Sequence, residues 1–236
     1  MIRAVFFDAG ATLVHPSPPV EDIYARELAA DGAAFTRGQL DTALTRAWEE
    51  VHAETAADRY GGVRGEAAFW QAFLNRVRGS LDGGVVSGEC FARLARHFRS
   101  PSAWAVYSDV FETLAALEER GLALAIVSNW DSHLPALLEA LDLAPRFRAV
   151  AVSAIEATGK PDAEIFRRVC ARLDVPARDC LHVGDSRRED YEGARSAGLN
   201  ALLLDRQGRH TGVEDRIESL LEIPERLSSF ARMAGG

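Results

Sequence analysis

Short, nearly uninterrupted apolar runs recur along the chain at Ala4–Phe7, Ala123–Val127, Ala149–Val152, Leu181–Val183 and Ala201–Leu204. Each is followed by polar or glycine residues. Strands covered on both faces lose the in/out alternation of a half-buried strand, so these runs predict a buried parallel sheet. Helical patterns lie between the later ones. Val110–Glu119 puts Val110, Leu114 and Leu117 on one face and stops before Gly121, a favourable helix end. Leu134–Leu141, Ala163–Leu173 and Tyr191–Ala197 repeat the alternation, and Gly198 ends the last. Right-handed crossovers stack such units into an α/β, Rossmann-like, doubly wound parallel sheet.

Residues 16–99 break that rhythm. They hold no strand-like run but four amphipathic stretches, Glu21–Ala30, Gln39–Ala53, Glu66–Arg78 and Gly88–Phe98, separated by joints such as Gly61-Gly62 and Gly83-Gly84. The expectation is an α/β core made of residues 1–15 and 100–236, with a small all-helical cap domain at 16–99. Trp48, Trp70 and Trp104 are expected to serve the cap's core. Ala234-Gly235-Gly236 reads as a loose end.

Composition narrows the function. A formal net charge of -8 excludes a broad basic surface for nucleic acid and leaves room only for a small cationic pocket. Cys90, Cys170 and Cys180 form no CxxC pair, and their odd number rules out a complete internal disulfide framework, which favours buried thiols in a reducing compartment. The first apolar run is cut by Asp8 before it could be a signal-peptide core. No run reaches the ~18 apolar residues of a membrane span. A cytoplasmic protein without nucleic-acid or membrane partners is expected; the oligomeric state is left open.

In a parallel sheet, the loops at the carboxyl ends of the strands converge on one edge, where ligands bind. Asp8 follows the first predicted strand, Ser128-Asn129 the second and Asp185 the fourth, while Lys160 lies in the turns after the third. Separately, each has an ordinary reading: an aspartate capping a turn, a Ser-Asn turn, an acidic residue on a solvated face beside Arg187 and Arg188. Lys160 stands apart because it is the only lysine in the chain. A compact ammonium with three donors serves a tight site in a way that a planar guanidinium cannot.

Taken together, Phe7-Asp8-Ala9-Gly10-Ala11-Thr12-Leu13, Val127-Ser128-Asn129, Gly159-Lys160-Pro161-Asp162 and Val183-Gly184-Asp185-Ser186 with Asp190 resemble the four motifs of the haloacid dehalogenase superfamily, in order and each after a strand. The resemblance runs from about residue 2 to residue 206. It implies a hydrolase acting on a small phosphorylated metabolite through an aspartyl-phosphate intermediate on Asp8. It further implies that Ser128, the Asn129 backbone N–H, Lys160 and Thr12 contact the substrate. Mg2+ would be held by Asp8, the Gly10 carbonyl, Asp185 and Asp190. Substrate choice would lie with the cap, whose closure excludes water.

One departure matters. Phosphatases of the family carry a second aspartate two positions after the nucleophile, to protonate the leaving oxygen; here that position is Gly10, followed by Ala11. Losing a positioned general acid costs about 10² to 10⁴ in rate. His15 sits nearby in sequence and is a candidate substitute, although an ordinary loop histidine is the commoner case. The phosphonate-cleaving branch needs a cap lysine, and residues 16–99 contain none. The 2-haloacid dehalogenases need neither acid nor metal, but they carry an uncharged residue where Asp185 stands. Phosphatase-type members with an incomplete first motif match Ser128-Asn129-Trp130-Asp131 and Gly159-Lys160-Pro161 best. The readings are thus a magnesium-dependent phosphatase, with a metal-free dehalogenase or a non-catalytic phospholigand-binding protein as alternatives.

Overall fold

The computed structural model describes residues 1–54 and 65–232. The Gly61-Gly62 joint and the Ala234–Gly236 tail lie outside the described residues. The chain forms two compact units, one of Met1–His15 with Val106–Gly236 and one of Pro16–Ala105.

In the first unit a six-stranded parallel sheet is built from β1 (Ala4–Phe7), β4 (Ala123–Ser128), β5 (Ala149–Val152), β6 (Cys180–Gly184), β7 (Asn200–Leu204) and β8 (Arg216–Ile217), in the order β5-β4-β1-β6-β7-β8. All four residues of β1 are fully buried, which explains why its sequence does not alternate. Burying Phe6 and Phe7 contributes about 1.5–3 kcal/mol each relative to exposure. Helices α5 (Val110–Glu119), α6 (Leu134–Ala140) and α8 (Ala163–Leu173) follow the predicted pattern. In α8, Ile165, Phe166, Val169 and Cys170 form one buried stripe that packs with Ala125, Val127 and Ala151 of the sheet. Asp162 caps the start of α8 by accepting the Glu164 N–H at 2.9 Å. The sheet flanked by helices is the α/β, Rossmann-like fold expected.

Differences are local. The segment predicted as a helix over Tyr191–Ala197 begins earlier, as a π-helical stretch Arg187–Glu192 that leads into α9 (Gly193–Ser196). Gly198 (φ 85°) ends it in the left-handed conformation that glycine tolerates. A separate two-stranded sheet pairs β2 (Val14–Pro16) with β3 (Trp104–Val106), and a short helix α7 (Ser153–Glu156) follows β5. Neither was predicted, nor was α10 (Ile223–Arg232). Cys170 and Cys180 are buried free thiols with sulfurs 3.8 Å apart, and Cys90 is also buried and free.

The second unit is helical, with α1 (Val20–Ala30), α2 (Arg37–Glu54), α3 (Glu66–Asp82) and α4 (Gly88–Arg99). Ser87 caps α4 by accepting the Cys90 N–H at 3.1 Å. Trp48 and Trp70 stack with ring centroids 6.2 Å apart, and both pack edge-on against Phe73. Trp48 stays 38% exposed, so this cluster is a rim rather than a sealed core. No helix among the described residues is long and apolar enough to cross a membrane.

Candidate active site

The strand order reverses direction around β1, which lies between β4 and β6, and this switch point collects the motif residues. Phe7 is level with Ile126 on one side and Val183 on the other. Residues one or two beyond those positions, Asp8, Ser128 and Asp185, therefore leave the sheet at the same edge.

Lys160 is brought to them from the turn before α8. Its Nζ donates to Asp8 Oδ1 at 2.6 Å and to Asp190 Oδ1 at 2.5 Å, and the residue is only 1% exposed. Ser128 is equally buried, and its hydroxyl favours the charged form of the Asp8 carboxyl. One oxygen each from Asp8, Asp185 and Asp190 lie within 4.8 Å of one another; among the described residues this is the one cluster of three such groups close enough to share an ion. The expected site residues thus meet, although Asp8 and Lys160 are 152 positions apart.

Two of the three carboxylates, Asp8 and Asp190, bond to the one ammonium, and the electrostatics follow. Burial raises the Asp8 carboxyl above its ordinary range, with repulsion from Asp190 adding to it, while Lys160 and Ser128 pull it back. Burial, then the charges of Asp8 and Asp190, push Asp185 up to about 7. Burial opposes the charged forms of Asp190 and Lys160 too, but their mutual attraction and their hydrogen bonds win: Asp190 falls below the carboxylate range and Lys160 rises above the ordinary ammonium value. The pair is held ionised.

Asp190 is heavily used. Its Oδ1 accepts Lys160 and contacts His182 Nε2 at 2.8 Å, and its Oδ2 accepts the Ser186 N–H at 2.9 Å. The π-helical turn allows this, because the Ser186 carbonyl accepts the N–H groups of both Asp190 and Tyr191 and the aspartate folds back over the strand end. Gly184 makes the space: a Cβ there would stand 2.2 Å from Asp190 Cγ. Fully buried, His182 is kept neutral chiefly by desolvation.

Sequence reasoning placed Asn129 in the site through its backbone N–H. The structure shows a different use for its side chain. Oδ1 accepts the Lys160 N–H at 2.8 Å, while Nδ2 donates to the Lys160 carbonyl at 2.8 Å and to Glu189 Oε2 at 2.9 Å. Asn129 therefore grips the backbone that presents the ammonium. Gly159 keeps the approach open, since a Cβ there would meet Asn129 Oδ1 at 2.6 Å. Thr12 is fully buried with its hydroxyl 3.5 Å from Asp185 Oδ1, and its carbonyl accepts Arg206 at 3.0 Å. His15 lies in β2 with its ring 4.6 Å from that of Tyr107. Ala11 adopts φ 53°, a left-handed conformation that costs a non-glycine residue roughly 1 kcal/mol.

Neither His182 nor the Asn129 clamp was anticipated. A histidine inside an apolar run was the available signal for the first; the second left none.

A profile of haloacid dehalogenase-like hydrolases matches residues 2–198. The chain belongs to that family. Haloacid dehalogenase-like hydrolase domain-containing protein 3 of Danio rerio is 30% identical over 237 residues, covering 96% of both chains. A phosphoserine phosphatase of Thermus thermophilus is 31% identical, with 86% of this chain and 82% of that one aligned. The crystal structure of a 2-haloacid dehalogenase from Pseudomonas syringae superposes with a TM-score of 0.63 at 23% identity, covering 98% of this chain and 100% of the other. That last likeness concerns the fold alone. Phosphatases and dehalogenases thus both stand near this haloacid dehalogenase-like hydrolase, and the side chains must separate them.

Proposed function

We propose that this hydrolase is a Mg2+-dependent phosphatase of a small phosphorylated metabolite. The observation that carries the reading is the third carboxylate, Asp185, crowded against Asp8 and Asp190 with a single ammonium among them. A free carboxylate there repels an anionic haloacid unless a cation intervenes, which disfavours the metal-free dehalogenase. Carboxylate oxygens are the donors that a hard divalent ion takes. Asp8 and Asp185, with the Gly10 carbonyl, would hold the ion; Asp190, its oxygens already engaged by Lys160, His182 and Ser186, would serve mainly as the brace behind it. When bound, Mg2+ supplies positive charge that lets an anionic nucleophile approach an anionic phosphoryl group.

The chain's own residues do the remainder. Asp8 attacks phosphorus, the bond from phosphorus to the leaving oxygen breaks, and an aspartyl phosphate forms. Lys160 neutralises charge on the nucleophile and on the phosphoryl oxygens, held in place by Asp190 and by the Asn129 grip on its backbone. Ser128 donates to the transferring group, and Thr12 lies in the loop after β1 with the nucleophile. The helical unit, Pro16–Ala105, would select the substrate.

The test is hydrolysis of 4-nitrophenyl phosphate and acetyl phosphate with and without Mg2+, by the wild type and by Asp8→Asn. Turnover that needs Mg2+ and vanishes in Asp8→Asn is expected. An Asp8→Asn variant as fast as the wild type would refute the assignment. Chloride release from 2-chloropropionate without metal would favour the dehalogenase. Magnesium-dependent binding of a phosphate-mimicking metal fluoride without any turnover would favour a binding protein.

A further inference from the structure

Position 10 lacks an acid, and the structure shows what stands there instead. A Cβ built on Gly10 would lie 3.1 Å from Cζ3 and 3.9 Å from Cε3 of the Trp130 ring. Ordinary carbon–carbon contacts are about 3.5–4.0 Å, so a methyl group there would press the indole edge by a few tenths of an ångström, and a carboxymethyl group reaches further. The obstruction is the ring and not the backbone, because Gly10, unlike Ala11, does not adopt a positive φ.

The main chain of Trp130 is anchored. Its backbone N–H donates to Ser153 Oγ at 3.1 Å, the same hydroxyl donates back to the Trp130 carbonyl at 3.2 Å, and the Ala154 N–H reaches that carbonyl at 3.3 Å. Ser153 is 3% exposed, so this anchorage is buried, while the indole itself is partly exposed. Asn129, the preceding residue, is tied to Lys160. The loop that carries the ring is thus the loop that grips the backbone of Lys160, and the ring lies over Gly10, two residues after the nucleophile.

We propose that Trp130 is a specificity-determining residue, and that it restricts the site to phosphoryl donors whose leaving group departs as a delocalised anion: aryl, enol or acyl phosphates. This rests on the phosphoryl-transfer reading above. An indole can neither donate a proton to the leaving oxygen in place of a carboxyl nor stabilise a localised alkoxide against an apolar wall. It offers a flat face to a planar leaving group. In the first step the Asp8 oxygen bonds to phosphorus and the phosphorus–oxygen bond to the leaving group breaks. Its electron pair stays on the leaving oxygen, which departs unprotonated as a phenolate, enolate or carboxylate. In the second step a water oxygen bonds to phosphorus and the bond to Asp8 breaks, the pair returning to the carboxylate. One water proton stays on the new P–OH and the other passes to a non-bridging oxygen, so dihydrogen phosphate leaves.

The experiment compares kcat and KM for 4-nitrophenyl phosphate, acetyl phosphate and glycerol 3-phosphate in the wild type, Gly10→Asp, Trp130→Ala and the double variant, with folding checked by circular dichroism. The wild type should turn over the first two and barely the third. Gly10→Asp alone should gain little on glycerol 3-phosphate, because the ring bars its carboxyl. In the double variant the acid has room, and that rate should rise about 10²- to 10⁴-fold over Trp130→Ala. Trp130→Ala alone should raise KM for 4-nitrophenyl phosphate roughly 2- to 10-fold and that for acetyl phosphate by less, because the smaller planar group covers less of the ring. This single variant decides the matter if the aspartate variants do not fold. A folded Gly10→Asp that matches the double variant, or a Trp130→Ala that leaves the aryl KM unaltered, overturns the role of Trp130 and leaves the phosphatase reading standing. A wild type inert toward both activated donors, and indistinguishable from Asp8→Asn, overturns both.

Discussion

Adding one methyl group at Gly184 should cost this protein a large part of its stability. The Cβ of Gly184→Ala would stand 2.2 Å from Cγ, 2.4 Å from Oδ2 and 2.7 Å from Cβ of Asp190. Against a carbon–carbon contact of about 3.5 Å, the aspartate must move by roughly an ångström. It has nowhere to go: it is 1% exposed and bonded to Lys160, His182 and the Ser186 N–H. Overpacking of this kind costs about 1–3 kcal/mol, and breaking one partner out of a buried ion pair about 3–5 kcal/mol. The two overlap, so the expected loss is about 3 kcal/mol or more, against a total of about 5–15 kcal/mol for a typical domain. Gly184 does not adopt a positive φ, so backbone strain adds nothing.

Urea denaturation followed by circular dichroism measures this. A double-mutant cycle with Asp190→Ala supplies the mechanism: with the carboxyl group gone, the cost of alanine at 184 should fall by at least about half, because neighbouring residues couple. A Gly184→Ala protein within about 0.5 kcal/mol of the wild type, the range of an uncritical surface change, would refute the reasoning.

Two further expectations concern charge. Lys160→Arg should lower kcat/KM for acetyl phosphate by at least about 10²-fold, since a guanidinium cannot place a compact charge between Asp8 and Asp190 in a space that leaves the lysine 1% exposed; a fall of less than about threefold would contradict this. Asp109 pairs with Arg206 at 2.8 and 2.9 Å and accepts Ser219 Oγ and the Leu220 N–H; burial opposes its ionisation, but these partners outweigh burial and hold its carboxyl below the usual range. Because the folded value is depressed, the stabilisation is complete above the unfolded value near 3.9 and fades as pH falls through the folded one. The stability gap between wild type and Asp109→Asn should be flat from about pH 7 to 5 and shrink below about pH 4 in urea titrations; a gap independent of pH would contradict the assignment.

The elements most legible in the sequence were those whose burial leaves a pattern. β1 and β5 are bounded as the apolar runs predicted, and α5 and α8 as their apolar stripes predicted, because an interior strand must be apolar on both faces and a packed helix on one. β2, β3 and β8 have only two or three residues, too few to carry a period. The turn that leads into α10 did carry a signal, the capping box of Ser219 and Glu222, which an eye for apolar runs passes over.

For the site, residue type and order along the chain brought Asp8, Ser128, Lys160 and Asp185 to one edge, since a parallel sheet delivers every strand end there, and the family resemblance added Asp190. What each of them touches was decided only in three dimensions. Asn129 grips Lys160 from 31 positions away, His182 braces Asp190 from inside a strand, and the indole of Trp130 covers Gly10. Such contacts join side chains from different strand ends at distances set by packing, so no periodicity or spacing in the sequence records them.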